Sequence, residues 1–210
     1  MKIQVLERAE KMWRGKSLAA MLQQWDESES KLRQERLIAE KVGCVGTVAD
    51  LGCGNGRLSR LLNVLEGYWG YDTSPDMLVY ALGPKGSHPC VHYEQRDVFS
   101  SAPDREFDIV VLYDVAMHQS EPVAAVRRML ELWRGEYYIF SLLVGDEREN
   151  LLASTVVAFS ELLDLLDDLN VTSLHIERLG SERFGWVLVE AEKKDEIASE
   201  PDNASQQDEE

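Results

Sequence analysis

The sequence predicts an α/β fold: a seven-stranded, mostly parallel sheet with one reversed strand and helices on both faces. Three observations carry this. From Gly46 onward, short apolar runs alternate with segments of helical periodicity, the pattern of βαβ units around a parallel sheet. A glycine-rich turn, Gly52 to Gly56, follows the first apolar run, and an acid, Asp72, follows the second. The series then closes on two consecutive strand-like runs, 171–179 and 184–191, whose short connection over 180–183 suits a hairpin.

The elements follow in order. Residues 1–42 read as a helical lead-in, with Leu32, Leu37 and Ile38 set among Lys, Arg and Glu as on an amphipathic helix. A strand over 47–51 leads into the glycine turn. The helix expected after it carries Leu58, Leu61, Leu62 and Leu65 at i, i+3, i+4 and i+7, with Gly67 as its stop. A strand over 68–71 ends at Asp72, and Ser74-Pro75-Asp76 opens the next helix: Ser caps, Pro fits the first turn and the acid complements the dipole. Strands are expected over 91–95, 107–113 and 137–143, and a helix from Pro122 with Val123, Val126, Leu130 and Trp133 on one face. Residues 151–166 read as one long helix, with no large insertion after the fifth strand. The lead-in (1–42), a central domain (43–191) and an acidic tail (192–210) expected to be disordered make up the chain.

Composition excludes several classes. At 210 residues with 44% apolar and 29% charged side chains, the chain suits one domain with a full core. No stretch approaches the run of about 18 apolar residues that a membrane-spanning helix needs, and the first residues lack the apolar core of a secretion signal, so a cytoplasmic protein is expected. Net charge is −16, and eight acids face two lysines in the tail. Nucleic acid would meet repulsion instead of a basic stripe. Cys44, Cys53 and Cys90 are too scattered for a disulfide framework. With His88, His92, His118 and His175 they reach no metal-ligand spacing, so no metal is expected.

The chemistry concentrates in 48–56, VADLGCGNG, which sets Asp50, Gly52, Gly54 and Gly56 between a buried strand and a helical segment. Glycine serves where the backbone turns sharply and a ligand comes close. A dinucleotide loop of the form G-x-G-x-x-G would need glycine at position 57, where Arg57 stands. Asp72, 16 residues beyond Gly56, ends the second strand at the edge of the sheet where α/β folds bind ligands, and its carboxylate suits the two hydroxyls of a ribose.

Together VADLGCGNG, GYDTSPDML, QRDVF and FDIVVLYDVAMHQ resemble the motif series of class I S-adenosylmethionine (SAM)-dependent methyltransferases, especially small-molecule types, over about residues 46–143. The resemblance implies a Rossmann-like fold and SAM as cofactor. It implies that Gly52, Cys53, Gly54 and Gly56 pass beneath the methionine part, and that Asp50 orders the loop and holds the amino group. Asp72, followed by Thr73, matches the ribose-binding acid; Met77 matches an apolar residue packed on adenine, and Asp97 with Val98 the acceptor of its exocyclic amine. Tyr113 falls near the sulfonium. His118 lines the pocket in this family and is the candidate proton acceptor, with Asp114 as a second. Trp13 and Trp25 suit a lid or helix packing, and Arg36 a contact to the cofactor carboxylate.

The expected activity is methyl transfer to oxygen or nitrogen of a small molecule. A protein acceptor and a non-catalytic SAM-binding scaffold are the alternatives. YDVAMH lacks the Asn/Asp-Pro-Pro-aromatic box that base amines would require.

Overall fold

The computed structural model describes residues 22, 28–64, 66–83, 90–151, 154–178 and 184–194. Trp13, Trp25, the 180–183 connection and the tail beyond Lys194 lie outside them. Helix α1 (Glu29–Val42) opens the described chain, N-capped by Ser28, whose hydroxyl accepts from the Lys31 N–H. Strands β1 (Thr47–Leu51), β2 (Gly67–Asp72), β3 (Val91–Gln95), β4 (Glu106–Leu112) and β5 (Arg134–Gly145) pair in parallel in the order β3-β2-β1-β4-β5. The apolar runs of β1, β4 and β5 are near-continuous, as strands covered on both faces require, whereas the edge strand β3 is half-exposed. Helix α2 (Pro75–Ala81) joins β2 to β3, and α3 (Pro122–Leu132) joins β4 to β5.

Beyond β5 a two-residue strand, β6 (Glu149–Asn150), pairs with β7 (Thr155–Ala158), and α4 (Phe159–Leu166) follows. Strand β8 (Leu169–Arg178) then turns back antiparallel to β9 (Phe184–Lys193), which lies antiparallel to β5 along residues 138–145. Main-sheet order is thus β3-β2-β1-β4-β5-β9-β8, seven strands with β9 alone reversed, as expected.

The sheet divides two cores. On one face α3 and α4 bury Ala125, Val126, Met129, Leu130, Leu162 and Leu165 against Val110, Leu112, Phe140 and Trp133. On the other, α1 lays Ile38 and Val42 on Val48, Ile109, Ile139, Trp186 and Leu188.

Two expected elements differ. The segment after the glycine turn is a single 3-10 turn, Leu58–Arg60, in place of a helix, and Leu61 is exposed. Side chains there bind backbone carbonyls: Ser59 Oγ donates to Gly56 O at 2.7 Å and the Arg60 guanidinium to Asn55 O at 3.0 Å. Gly67 begins β2, its N–H and that of Glu66 donating to Gly46 O. The second is the long helix expected over 151–166, whose first part is strand. Thr155, Val156 and Val157 are buried and all β-branched. Strand β7 binds the edge of Val144 and Gly145 that β4, ending at Leu112 opposite Phe140, leaves open. A small hairpin therefore does follow the fifth strand, beside the end of β4.

Candidate cofactor and transfer site

The glycine turn is built by left-handed backbone. Gly52, Gly54 and Gly56 have φ of 74°, 56° and 71°, a region closed to most side chains. A Cβ on Gly52 would come within 2.2 Å of Val115 Cγ2, so the loop after β4 sits directly on the loop after β1. Gly52 and Cys53 both donate their N–H to Tyr71 O, at 2.7 and 3.0 Å. Cys53 is buried, and burial pushes its thiol well above the usual range, which removes it as a nucleophile.

Asp72 closes the turn from β2. Its Oδ2 accepts from Gly54 N–H at 2.9 Å and its Oδ1 from Ser74 N–H at 2.7 Å. Burial raises its pKa, against the backbone bonds from Ser74, Gly54 and Thr73. Ser74 caps α2, accepting from Met77 N–H at 3.3 Å. The Met77 side chain is buried, and its Cε would lie 3.7 Å from a Cβ on Gly54. Thr73 is exposed, and its carbonyl accepts from the Gln95 side chain.

Asp50 lies beneath, 4% exposed, its Oδ2 accepting from the phenol of Tyr68. Burial pushes its carboxyl up to about 7, the Tyr68 bond opposing and the charges of Asp72 and Glu35 adding to the rise. With Asp50, Asp72 and Glu35 this close, the site favours a cationic ligand group.

The remaining expected residues scatter more. Asp97 is exposed and uses both carboxylate oxygens on its own turn, accepting from Phe99 N–H at 3.0 Å and Ser100 Oγ at 2.5 Å. Val98 packs in the α3-side core, and its carbonyl accepts from Trp133 Nε1 at 2.9 Å. Tyr113 follows β4 at the site; its phenol donates to Gln34 Oε1 at 3.2 Å, and burial pushes its pKa upward. His118 ends the 3-10 turn Ala116–His118 and is half-buried. Arg36 is exposed, whereas the buried residues of α1 are Gln34, Glu35, Ile38 and Val42.

Sequence reasoning expected a helical cap over 1–42 but missed its polar contacts. Glu35 and Arg57 form a bidentate pair, Nε–Oε1 and NH2–Oε2 each 2.9 Å, with side chains 8% and 10% exposed. Arg57 thus links the glycine turn to α1. Lys31 pairs with Asp114. The signal available was narrow: Gln34 and Glu35 share a helical face with Ile38, but charged residues on such a face usually meet water.

Comparison with known proteins bears on the fold. Residues 49–136 match the methyltransferase-domain family. No curated protein matches the chain. Among solved structures, the N-methyltransferase NodS from Bradyrhizobium japonicum WM9, in complex with S-adenosylhomocysteine (SAH), superposes with a TM-score of 0.68 at 12% identity, over 91% of this chain and 100% of that one. The 1,6-didemethyltoxoflavin-N1-methyltransferase of Burkholderia thailandensis gives 0.67 at 17% identity, over 90% and 88%. The [4+2]-cyclase SpnF gives 0.61 at 18%, over 77% and 80%. Likeness at these identities speaks to fold.

The fold is that of class I SAM-dependent methyltransferases, and residues 49–136, somewhat under half of the chain, match the model of a methyltransferase domain. The NodS and didemethyltoxoflavin enzyme structures hold SAH, the demethylated product of SAM. The residues fit SAM, since three left-handed glycines form a turn in which a Cβ on Gly54 would meet only Met77 Cε, at 3.7 Å, with a ribose-suited carboxylate at one end and a buried acid below.

Proposed function

We propose that the protein transfers a methyl group from SAM to an oxygen or nitrogen atom of a small molecule. The observation that carries this reading is the Asp72 carboxylate, held by the N–H groups of Gly54 and Ser74 at the mouth of the glycine turn. In this reading Asp72, with Thr73 beside it, takes the ribose hydroxyls, and Met77 packs on adenine near Asp97 and Val98. Gly52, Cys53, Gly54 and Gly56 run under the methionine part, and Asp50 takes its amino group. Tyr113 borders the methyl.

Bound SAM supplies an activated methyl, so the chain's own part is to orient the acceptor and exclude water. The capping of the site by α1, through the buried Glu35–Arg57 pair, supports a small acceptor over an extended one. Two fold neighbours, NodS and the didemethyltoxoflavin enzyme, are N-methyltransferases by name. His118, in the turn after β4, is the proton acceptor that the motif resemblance suggests.

The net charge of −16 favours a second reading, a basic peptide as acceptor. Incubation with methyl-tritiated SAM and two panels, small phenols and amines against lysine- and arginine-rich peptides, separates the readings. Label in the small-molecule panel is expected. Label in peptides alone would overturn the small-acceptor reading, and donor binding without transfer to either would favour a scaffold.

A further inference from the structure

Between α1 and the end of β4 lies a charged cluster that the cofactor-binding residues leave unexplained. Lys31 reaches from the first turn of α1 to Oδ2 of Asp114, and its Nζ stands 5.4 Å over the Tyr113 ring. Asp114 has φ 55°, unusual for a residue with a side chain. Its Oδ1 accepts from Trp186 Nε1 at 3.0 Å and from Ser141 Oγ at 3.2 Å, and its N–H donates to Ser141 Oγ at 2.8 Å. Ser141 and Trp186 are buried in β5 and β9. One carboxylate oxygen is therefore anchored in the sheet, while the other is turned to the cap and meets Lys31. An ordinary surface ion pair has no such support.

We propose that Lys31, in place of the His118 that the motif resemblance suggests, is the proton acceptor of the transfer, its amine facing the acceptor atom at the end of β4 and Asp114 holding it there. The assignment rests on the methyltransferase reading above. In the step, the acceptor's oxygen or nitrogen bonds to the methyl carbon, and the carbon–sulfur bond breaks with its electron pair going to sulfur. The proton on the acceptor atom passes to the lone pair of Lys31 Nζ, and the resulting ammonium pairs with Asp114.

Burial lowers the Lys31 pKa to about 8, Glu35 opposing and Arg57 adding to the fall, so part of it is amine near neutral pH. The groups facing it are Asp114 and Tyr113 after β4, Glu35 on its own helix and Arg57 from the glycine turn. Glu177 of β8 is engaged by Arg33 and Gln34 instead. A further consequence concerns charge. SAM is a sulfonium cation and SAH is neutral at sulfur, so an ammonium at this place repels the first and not the second.

Calorimetric titration of the full chain with SAM and with SAH, from pH 7 to 9, reads this without any acceptor. SAM affinity is expected to rise about tenfold over that range as Lys31 sheds its proton. SAH shares the amino-group and Asp50 titrations and should not follow. Lys31→Met should hold SAM affinity near its high-pH level throughout, Lys31→Arg near its low-pH level, and His118→Ala should keep the wild-type curve. Equal pH dependence for SAM and SAH in the wild-type protein, or its loss in His118→Ala, would overturn the assignment and leave the methyltransferase reading standing. Binding of neither ligand would overturn both.

Discussion

The two faces of the sheet are covered by different chemistry. Helices α3 and α4 cover theirs with apolar side chains, and Trp133 sits fully buried among Tyr71, Phe107 and Val98. Helix α1 covers the other with Ile38 and Val42 at its C-terminal end, but with Lys31, Gln34 and Glu35 over the site. Apolar burial drives folding without regard to direction, whereas a buried ion pair adds little net stability and fixes geometry. The first face is a scaffold, and the N-terminal half of the second positions groups at the mouth of the site.

Substitutions should separate the two. Trp133→Ala removes a buried indole at a cost of about 3–5 kcal/mol, so Tm should fall by roughly 10 °C in a thermal melt. No second substitution should restore it. Glu35→Gln removes the charge and one of the two carboxylate oxygens facing the buried Arg57 guanidinium and should cost about 3 kcal/mol, yet Glu35→Leu with Arg57→Met should recover most of that loss. A double variant as unstable as the single one would count against the division. Gly52→Ala meets both a positive φ and the Val115 side chain, and about 1–3 kcal/mol of destabilisation is expected in urea titration. Adding Val115→Ala should restore part of it, since it relieves the contact but not the backbone.

One effect has the opposite sign. The Asp50 carboxyl, near 7 when folded against about 4 when unfolded, holds its proton longer in the native state. Stability from this group therefore falls as pH climbs from about 4 to about 7. Asp50→Asn keeps an acceptor for Tyr68 and should melt above wild type at pH 8 and equal to it at pH 4, while weakening SAH binding. An unchanged melting difference across pH would show that Asp50 is not strained by burial.

The scaffold face was largely legible in the sequence. The runs 47–51 and 91–95 match their strands residue for residue, and the α3 stripe marks its buried side, because apolar periodicity reports burial directly. The glycine turn and Asp72 were legible for a different reason: left-handed backbone and a strand-end acid leave local signatures. Periodicity failed at Leu61, where Ser59 and Arg60 tie the chain into a turn, and at 155–157, where an open edge of β5 selected strand over helix. The cap's polar contacts stayed hidden. Lys31 meets Asp114 across 83 positions of sequence, and nothing local distinguishes it from a solvated lysine.

The central claim is that the glycine turn and Asp72 bind the donor. It is tested most directly by calorimetric titration of wild-type protein and Asp72→Ala with SAH, using NAD as control. Saturable SAH binding by wild type, weakened roughly 100-fold in Asp72→Ala by loss of two charge-assisted hydrogen bonds, is the expected result, with no heat from NAD. Binding of NAD in place of SAH, or SAH binding indifferent to Asp72, would contradict the account.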